Sequence, residues 1–149
     1  MVNLHPQLRK ETIEIVALRL SRVLLLNDSR FPWLILVPDR PGVTELHALN
    51  AADKMILISE LTVCSRVLES LHRPDKINIG ALGNLVPQLH IHVVARFETD
   101  AAWPGPVWGF GERQPYSTSV SEDTVTSLRK LLRNELAKEA QQNSLPRKN

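Results

Sequence analysis

Gln88, His90 and His92 alternate with Leu89, Ile91 and Val93 in the run NLVPQLHIHVVAR at 84–96. Successive side chains of a strand point to opposite faces. The spacing therefore predicts an amide and two imidazoles on one face and an apolar row directed into a core on the other. Imidazole titrates near neutral pH and serves as nucleophile, general base, general acid or metal ligand. Three polar side chains on one side of such a strand need hydrogen-bond partners, water or a ligand, and the pattern reads as a reaction site. The plain alternative is a strand edge facing solvent, where Gln and His are ordinary. A metal would need more ligands than the pair supplies. The other histidines, His5, His47 and His72, read as surface or local packing positions, and the single cysteine, Cys64, falls in a helical apolar stripe and reads as core.

The segment before the strand, NIGALGNLVP at 78–87, carries Asn78, Gly80, Gly83 and Asn84. Glycine lets backbone approach a ligand closely, and the amides of such a loop can bind phosphate oxygens. A glycine-bearing turn is also how a hairpin is made. Loop and histidine strand together make the stronger signal.

Together, 78–86 and the following QLHIHVV at 88–94 resemble the signature of the histidine-triad (HIT) superfamily, in which His-φ-His-φ-His-φ-φ closes a nucleotide-binding site. The run LLLNDSRFPWLILVP at 24–38 resembles the family's first hairpin, and Glu45 to Leu49 with the helix after it also match. The resemblance covers roughly residues 20–97. The tail WPGPVWG at 103–109 is similar to a bacterial subgroup of HIT-like proteins. By this resemblance His90 takes the role of nucleophile and His92 that of donor to the phosphate, with Gln88 in the place of the first triad histidine. Asn27 or Asp28 would contact ribose, and Asn78, Gly83, Asn84 and Val86 would complete the nucleotide site. The loop is one residue shorter than in the best-known nucleotide-binding members, and Leu85 offers no hydroxyl to a leaving group.

The implied chemistry is in-line attack of His90 on an α-phosphorus of a nucleoside phosphoramidate, acyl-nucleotide or dinucleotide-type substrate, through a nucleotidyl-histidine, with no cofactor. The chain is thus expected to be a nucleotide hydrolase or transferase whose partner is a purine nucleotide or nucleotide conjugate. The alternative is a nucleotide-binding module with little or no turnover because Gln88 replaces a histidine. A third reading, a metal site at His90 and His92, would require bound metal or sensitivity to a chelator. The resemblance also implies a homodimer.

Composition agrees with a small globular protein. The chain has 149 residues, 43% hydrophobic and 23% charged, with a net charge of +2, enough for one domain with a sizeable core. That charge is too small to argue for nucleic acid, and the only basic cluster of note is the PRKN tail at 146–149. No apolar run is long enough to span a membrane, the N-terminus lacks the pattern of a signal peptide, and one cysteine makes no intrachain disulfide. A cytoplasmic protein is expected.

The elements that must position these residues read as follows. A short helix spans about Pro6 to Ile13, with Pro6 in its first turn, followed by a transition of undecided type from Ile15 to Ser21. Arg22 to Asn27 and Trp33 to Val37 are strands joined by the turn-bearing 28–32. From Asn50, a plausible N-cap, to Leu71, the residues Leu57, Leu61, Cys64, Leu68 and Leu71 recur at helical spacing. Arg73-Pro74-Asp75 stops that helix, Lys76 to Leu82 returns as a strand, and Pro87 to Phe97 forms the histidine strand. Trp103 to Tyr116 is irregular, with aromatics that could cover a base or pack onto the domain, and a last helix runs from about Ser121 to Gln141. The expectation is one HIT-like α+β domain over 1–149. Its core lies at about 20–97, its C-terminal extension and helix at about 98–145. An antiparallel sheet of about five strands should carry one long helix packed on it and the C-terminal helix.

Overall fold

The computed structural model describes residues 2–144, so the basic tail at 146–149 lies outside the described residues. A short helix α1 (Pro6–Glu11) runs directly into strand β1 (Thr12–Ala17), followed by β2 (Ser21–Leu26), β3 (Trp33–Pro38), the long helix α2 (Ala51–His72), β4 (Lys76–Gly80), β5 (Ile91–Arg96) and α3 (Thr118–Ser144). The five strands form one antiparallel sheet in the order β1-β2-β3-β5-β4. The α+β architecture with five antiparallel strands is as expected. Of the undecided stretch 15–21, residues 15–17 belong to β1, which already begins at Thr12 and so shortens the expected helix, and Ser21 opens β2.

Both faces of the central strands are covered, which is why β2 and β3 read as continuous apolar runs rather than alternating ones. On one face Val23, Leu25, Leu34, Leu36, Ile91, Val93 and Ala95 pack with Leu57, Leu61, Cys64 and Leu68 of α2 and Leu128 and Leu132 of α3. On the other face Leu24, Leu26, Trp33, Ile35, Val37 and Val94 pack with Leu4 and Leu8 from the N-terminus and with Ala102 and Val107 from the segment after β5. Neither covering segment of this second face is a long helix, so room is left for a cavity there.

Helix α2 starts where its sequence says: the Asn50 side chain accepts from the Asp53 N–H at 2.8 Å, satisfying one of the orphan donors of the first turn. It ends at Arg73, whose left-handed backbone (φ 50°) closes the last turn before Pro74. Leu71, expected in the buried stripe, is instead 39% exposed because the helix outruns the sheet beneath it. The histidine strand is also shorter than expected. It begins at Ile91, not Pro87, because β3 pairs only as far as Leu36 with Ile91 and β4 only as far as Gly80 with His92, leaving nothing for 87–90 to pair with in the ladder.

Candidate active site

The second face of the sheet carries a cavity of about 420 Å³, within the size range of small-molecule sites. Its floor is Leu26, Trp33, Ile35, His90 and His92; its walls are the loop Leu82 to Val86 on one side, α1 on another, and Val107 to Gly111 with Arg113 on the third. Asp28, Gly83, Asn84, Val86, His90 and His92, all singled out from sequence, line it.

The other three candidates lie elsewhere, each for a local reason. Gln88 lies before the strand, and its side chain is taken up by the N-terminal segment instead of the cavity. Its Oε1 accepts from the His5 N–H (2.8 Å) and its Nε2 donates to the Asn3 carbonyl (3.1 Å), pinning the N-terminal segment. Asn27 accepts from the Tyr116 N–H at 2.9 Å and so holds the start of the C-terminal helical region. Asn78 accepts from Arg96 Nη1 at 2.9 Å.

His90 is 7% exposed. Its Nδ1 stands 2.7 Å from the Gln88 carbonyl oxygen. A carbonyl only accepts, so Nδ1 carries a hydrogen, and in the neutral ring Nε2 keeps its lone pair. His92 lies beside it, the two rings 4.9 Å apart at 72°. Trp33 donates from its indole Nε1 to His92 Nδ1 at 2.9 Å. The register explains the contact: Ile35 is directly opposite His92, so Trp33, two residues along on the same face, is its diagonal neighbour, within reach of a long aromatic side chain.

Burial, with His90 and Arg113 nearby, pushes the His92 imidazole down to about 3. His92 is therefore neutral at physiological pH. Because its folded value lies below the ordinary 6.5, its contribution to stability is present above that pH and lost as pH falls from there towards about 3.

Trp108, from the irregular segment, completes the enclosure. Its ring packs edge-on to His92 (5.9 Å) and to Trp33 (5.9 Å), and it lies against Gly80, where a Cβ would meet the ring at 3.0 Å. Gly80 is paired with His92 across the ladder; the missing side chain is what lets an indole lie beside the histidine. The close approach that glycine permits here is to Trp108 rather than to a ligand. The segment is anchored by Arg96, buried on β5, which donates to both carboxylate oxygens of Asp100 (2.8 and 3.0 Å) and to the Gly105 carbonyl (2.9 Å) while stacking on Trp103.

Asp28 is buried in the cavity wall, and Arg30 holds both of its oxygens, at 2.9 and 2.7 Å. Burial raises the carboxyl's pKa, but hydrogen bonds from Arg30 and the Gln114 N–H outweigh it and hold the group below its ordinary value. The Arg30 guanidinium also donates to the Phe110 carbonyl and lies over the Phe31 and Phe110 rings. Arg113 forms an ion pair with Glu11 at the same rim. Trp33, Trp108, Arg30 and Arg113 are among the cavity residues that sequence reading did not assign. The aromatic composition of 103–116 was the available signal, and the register linking it to the histidine strand was not. Among the described residues no group of three or more His, Cys, Asp or Glu side chains could hold a metal ion.

Comparison with known proteins follows the same lines. The family model of the HIT domain matches residues 8–99. A histidine triad protein from Bradyrhizobium japonicum is 42% identical and superposes with a TM-score of 0.85 over 87% of this chain and 97% of its own. One from Marinobacter aquaeolei is 40% identical with a TM-score of 0.87 over 90% and 98%, and one from Sinorhizobium meliloti is 41% identical with a TM-score of 0.84 over 86% and 95%. Comparison with curated proteins returned no match.

Proposed function

The chain belongs to the HIT domain family, and on that premise we propose that it is a nucleotide hydrolase or nucleotidyl transferase with His90 as its nucleophile. It acts at the α-phosphate of a nucleoside phosphoramidate, acyl-nucleotide or dinucleotide-type substrate. The observation that carries this reading is the 2.7 Å contact of His90 Nδ1 with the Gln88 carbonyl. In the neutral ring it leaves the Nε2 lone pair for attack, and it places a hydrogen-bond acceptor behind the ring, where positive charge develops as the phosphorus–nitrogen bond forms.

For a phosphoramidate, His90 Nε2 attacks phosphorus as the amine departs with the bonding pair and takes a proton from solvent. Water then attacks the nucleotidyl-imidazole, releasing the nucleoside monophosphate, regenerating His90 and giving its proton to solvent. Charge spreads over the non-bridging oxygens in each transition state. His92 and amides of the 82–86 loop are the donors proposed for those oxygens; one such donor contributes about 3–4 kcal/mol to lowering a barrier of this kind. The apolar floor and the Trp33, Trp108 and Phe110 rings suit a purine base.

A binding module with little turnover is favoured by one observation: Leu85, where a hydroxyl would assist the leaving group, is an aliphatic side chain 92% exposed. Intact-mass analysis after millisecond quench with an adenosine phosphoramidate separates the two. An adenylyl adduct in the parent and none in His90→Ala is expected. No adduct, background hydrolysis and retained AMP binding would establish the binding module. We place this activity in the cytoplasm, in one HIT-like domain with a C-terminal extension, working as a homodimer; no helix among the described residues is long and apolar enough to cross a membrane.

A further inference from the structure

We propose that Trp33 is a positioning residue that locks His92 in its neutral Nε2–H tautomer and so makes it a fixed hydrogen-bond donor into the cavity. As a role in the reaction, this rests on the function proposed above; as a statement about the tautomer, it stands on geometry alone.

The indole of Trp33 is a donor and nothing else. Its Nε1–H reaches His92 Nδ1 at 2.9 Å, so Nδ1 must present a lone pair and the ring hydrogen must sit on Nε2. A protonated His92 would set two N–H groups against each other at hydrogen-bond distance, inside a site where both rings are buried, His92 at 8% and Trp33 at 6% exposure. Trp33 cannot swing away easily. Its ring is held edge-on by Phe31 at 6.4 Å and by Trp108 at 5.9 Å, as well as by His92 itself at 5.5 Å. A backbone carbonyl or carboxylate at Nδ1, the usual partner of a histidine that must become charged, would have the opposite effect. The two neighbouring histidines are thus set in opposite tautomers by opposite partners: His90 by an acceptor, His92 by a donor.

The charged and titratable groups that share the cavity with His92 are His90 just before its strand, Asp28 and Arg30 on the β2–β3 connection, Glu11 on α1 and Arg113 on the C-terminal segment. Arg30 and Glu11 are each engaged with an opposite charge, Asp28 and Arg113 respectively. None of these carboxylates is hydrogen-bonded to His92 in place of the indole. The consequence for chemistry is a division of labour. His92 donates to a phosphoryl oxygen throughout the cycle but has no proton to give up to the leaving group, which must take its proton from solvent or leave as an anion.

The test reads the tautomer directly. Long-range proton–nitrogen NMR of the uniformly labelled protein, with His92→Gln used to assign the signals, should show His92 as the Nε2–H tautomer, unchanged from about pH 8 to about pH 5. In Trp33→Phe, which keeps an aromatic ring and removes the donor, Nδ1 is released and the Nδ1–H tautomer of His92 should become populated. Adduct formation in Trp33→Phe should be about ten-fold slower, as expected for a lost supporting hydrogen bond, with KM within roughly two-fold of the parent. A parent His92 that carries hydrogen on Nδ1, or that titrates in the window, overturns the proposal even if the variant fails to fold. Equal rates in parent and variant overturn the positioning role. A parent that forms no adduct counts against the proposed function, while the tautomer measurement still decides the role of Trp33.

Discussion

The side-chain amide of Gln88 and its backbone carbonyl do different jobs. The amide ties down the N-terminal segment at His5 and Asn3, whereas the carbonyl holds His90. Replacing the side chain leaves the carbonyl in place. Gln88→Ala is therefore expected to lower stability by about 1–2 kcal/mol through the loss of one partly buried and one exposed hydrogen bond, which is roughly 2–8 °C in melting temperature for a chain of this size. The rate of adduct formation should stay within about three-fold of the parent. A thermal melt and a quenched time course on the same preparation check both halves; a large loss of rate with an unchanged melt would return Gln88 to the chemistry.

Arg96 is one of the anchors that hold the segment after β5 to the sheet, and its contribution can be measured at the scale of the element. Side-chain exposure is 2% for Arg96 and 4% for Asp100, so Arg96→Met would leave a buried carboxylate without its cation. Breaking a buried pair in this way costs about 3–5 kcal/mol. Denaturant unfolding should show that loss, and tryptophan fluorescence should shift to the red as Trp103 and Trp108 gain water. An unshifted spectrum would mean that the segment's other contacts hold it without Arg96. This element also marks where sequence reading stops. Helix α2 was legible because its caps, Asn50 and Arg73-Pro74, and its apolar spacing are all local signals. Strand β1 was not, because α1 passes into it with no Gly or Pro to mark the boundary at Thr12. The histidine pair was legible as a period-two pattern, but the placement of Gln88 depended on where the neighbouring strands end. The indoles around His92 meet it across a sheet register and a glycine on another strand, relations that no local pattern carries.

At the scale of the whole molecule the sheet is asymmetric: the cavity is on one face, the two long helices are on the other, and β4 stands at an open edge. An edge strand with unpaired backbone groups is a template for another strand. Here the edge adjoins Ile58 and Thr62 of α2; Ile58 is 58% exposed, Met55 one turn before it 73%, and Ile79 on β4 52%. Ile58, Leu61, Thr62, Ile77 and Ile79 together line a shallow groove between α2 and β4. A second copy related by a two-fold axis would lay the same apolar patch against this one and continue the sheet from β4 to β4, the self-complementary arrangement that two-fold symmetry allows. On that reading, light scattering with size exclusion should give twice the chain mass for the parent. Ile79→Lys, which puts a charge on the edge strand without touching the cavity, should give a single chain. A monomeric parent at about 100 μM, well above the dissociation constants of specific dimers of standard interface size, would assign the exposed patch to something other than a second copy. If Ile79→Lys is monomeric but still forms the adduct at the parental rate, each protomer holds a complete site. If the adduct is lost with the dimer, the 82–86 loop, which follows directly from β4, owes its geometry to the paired edge.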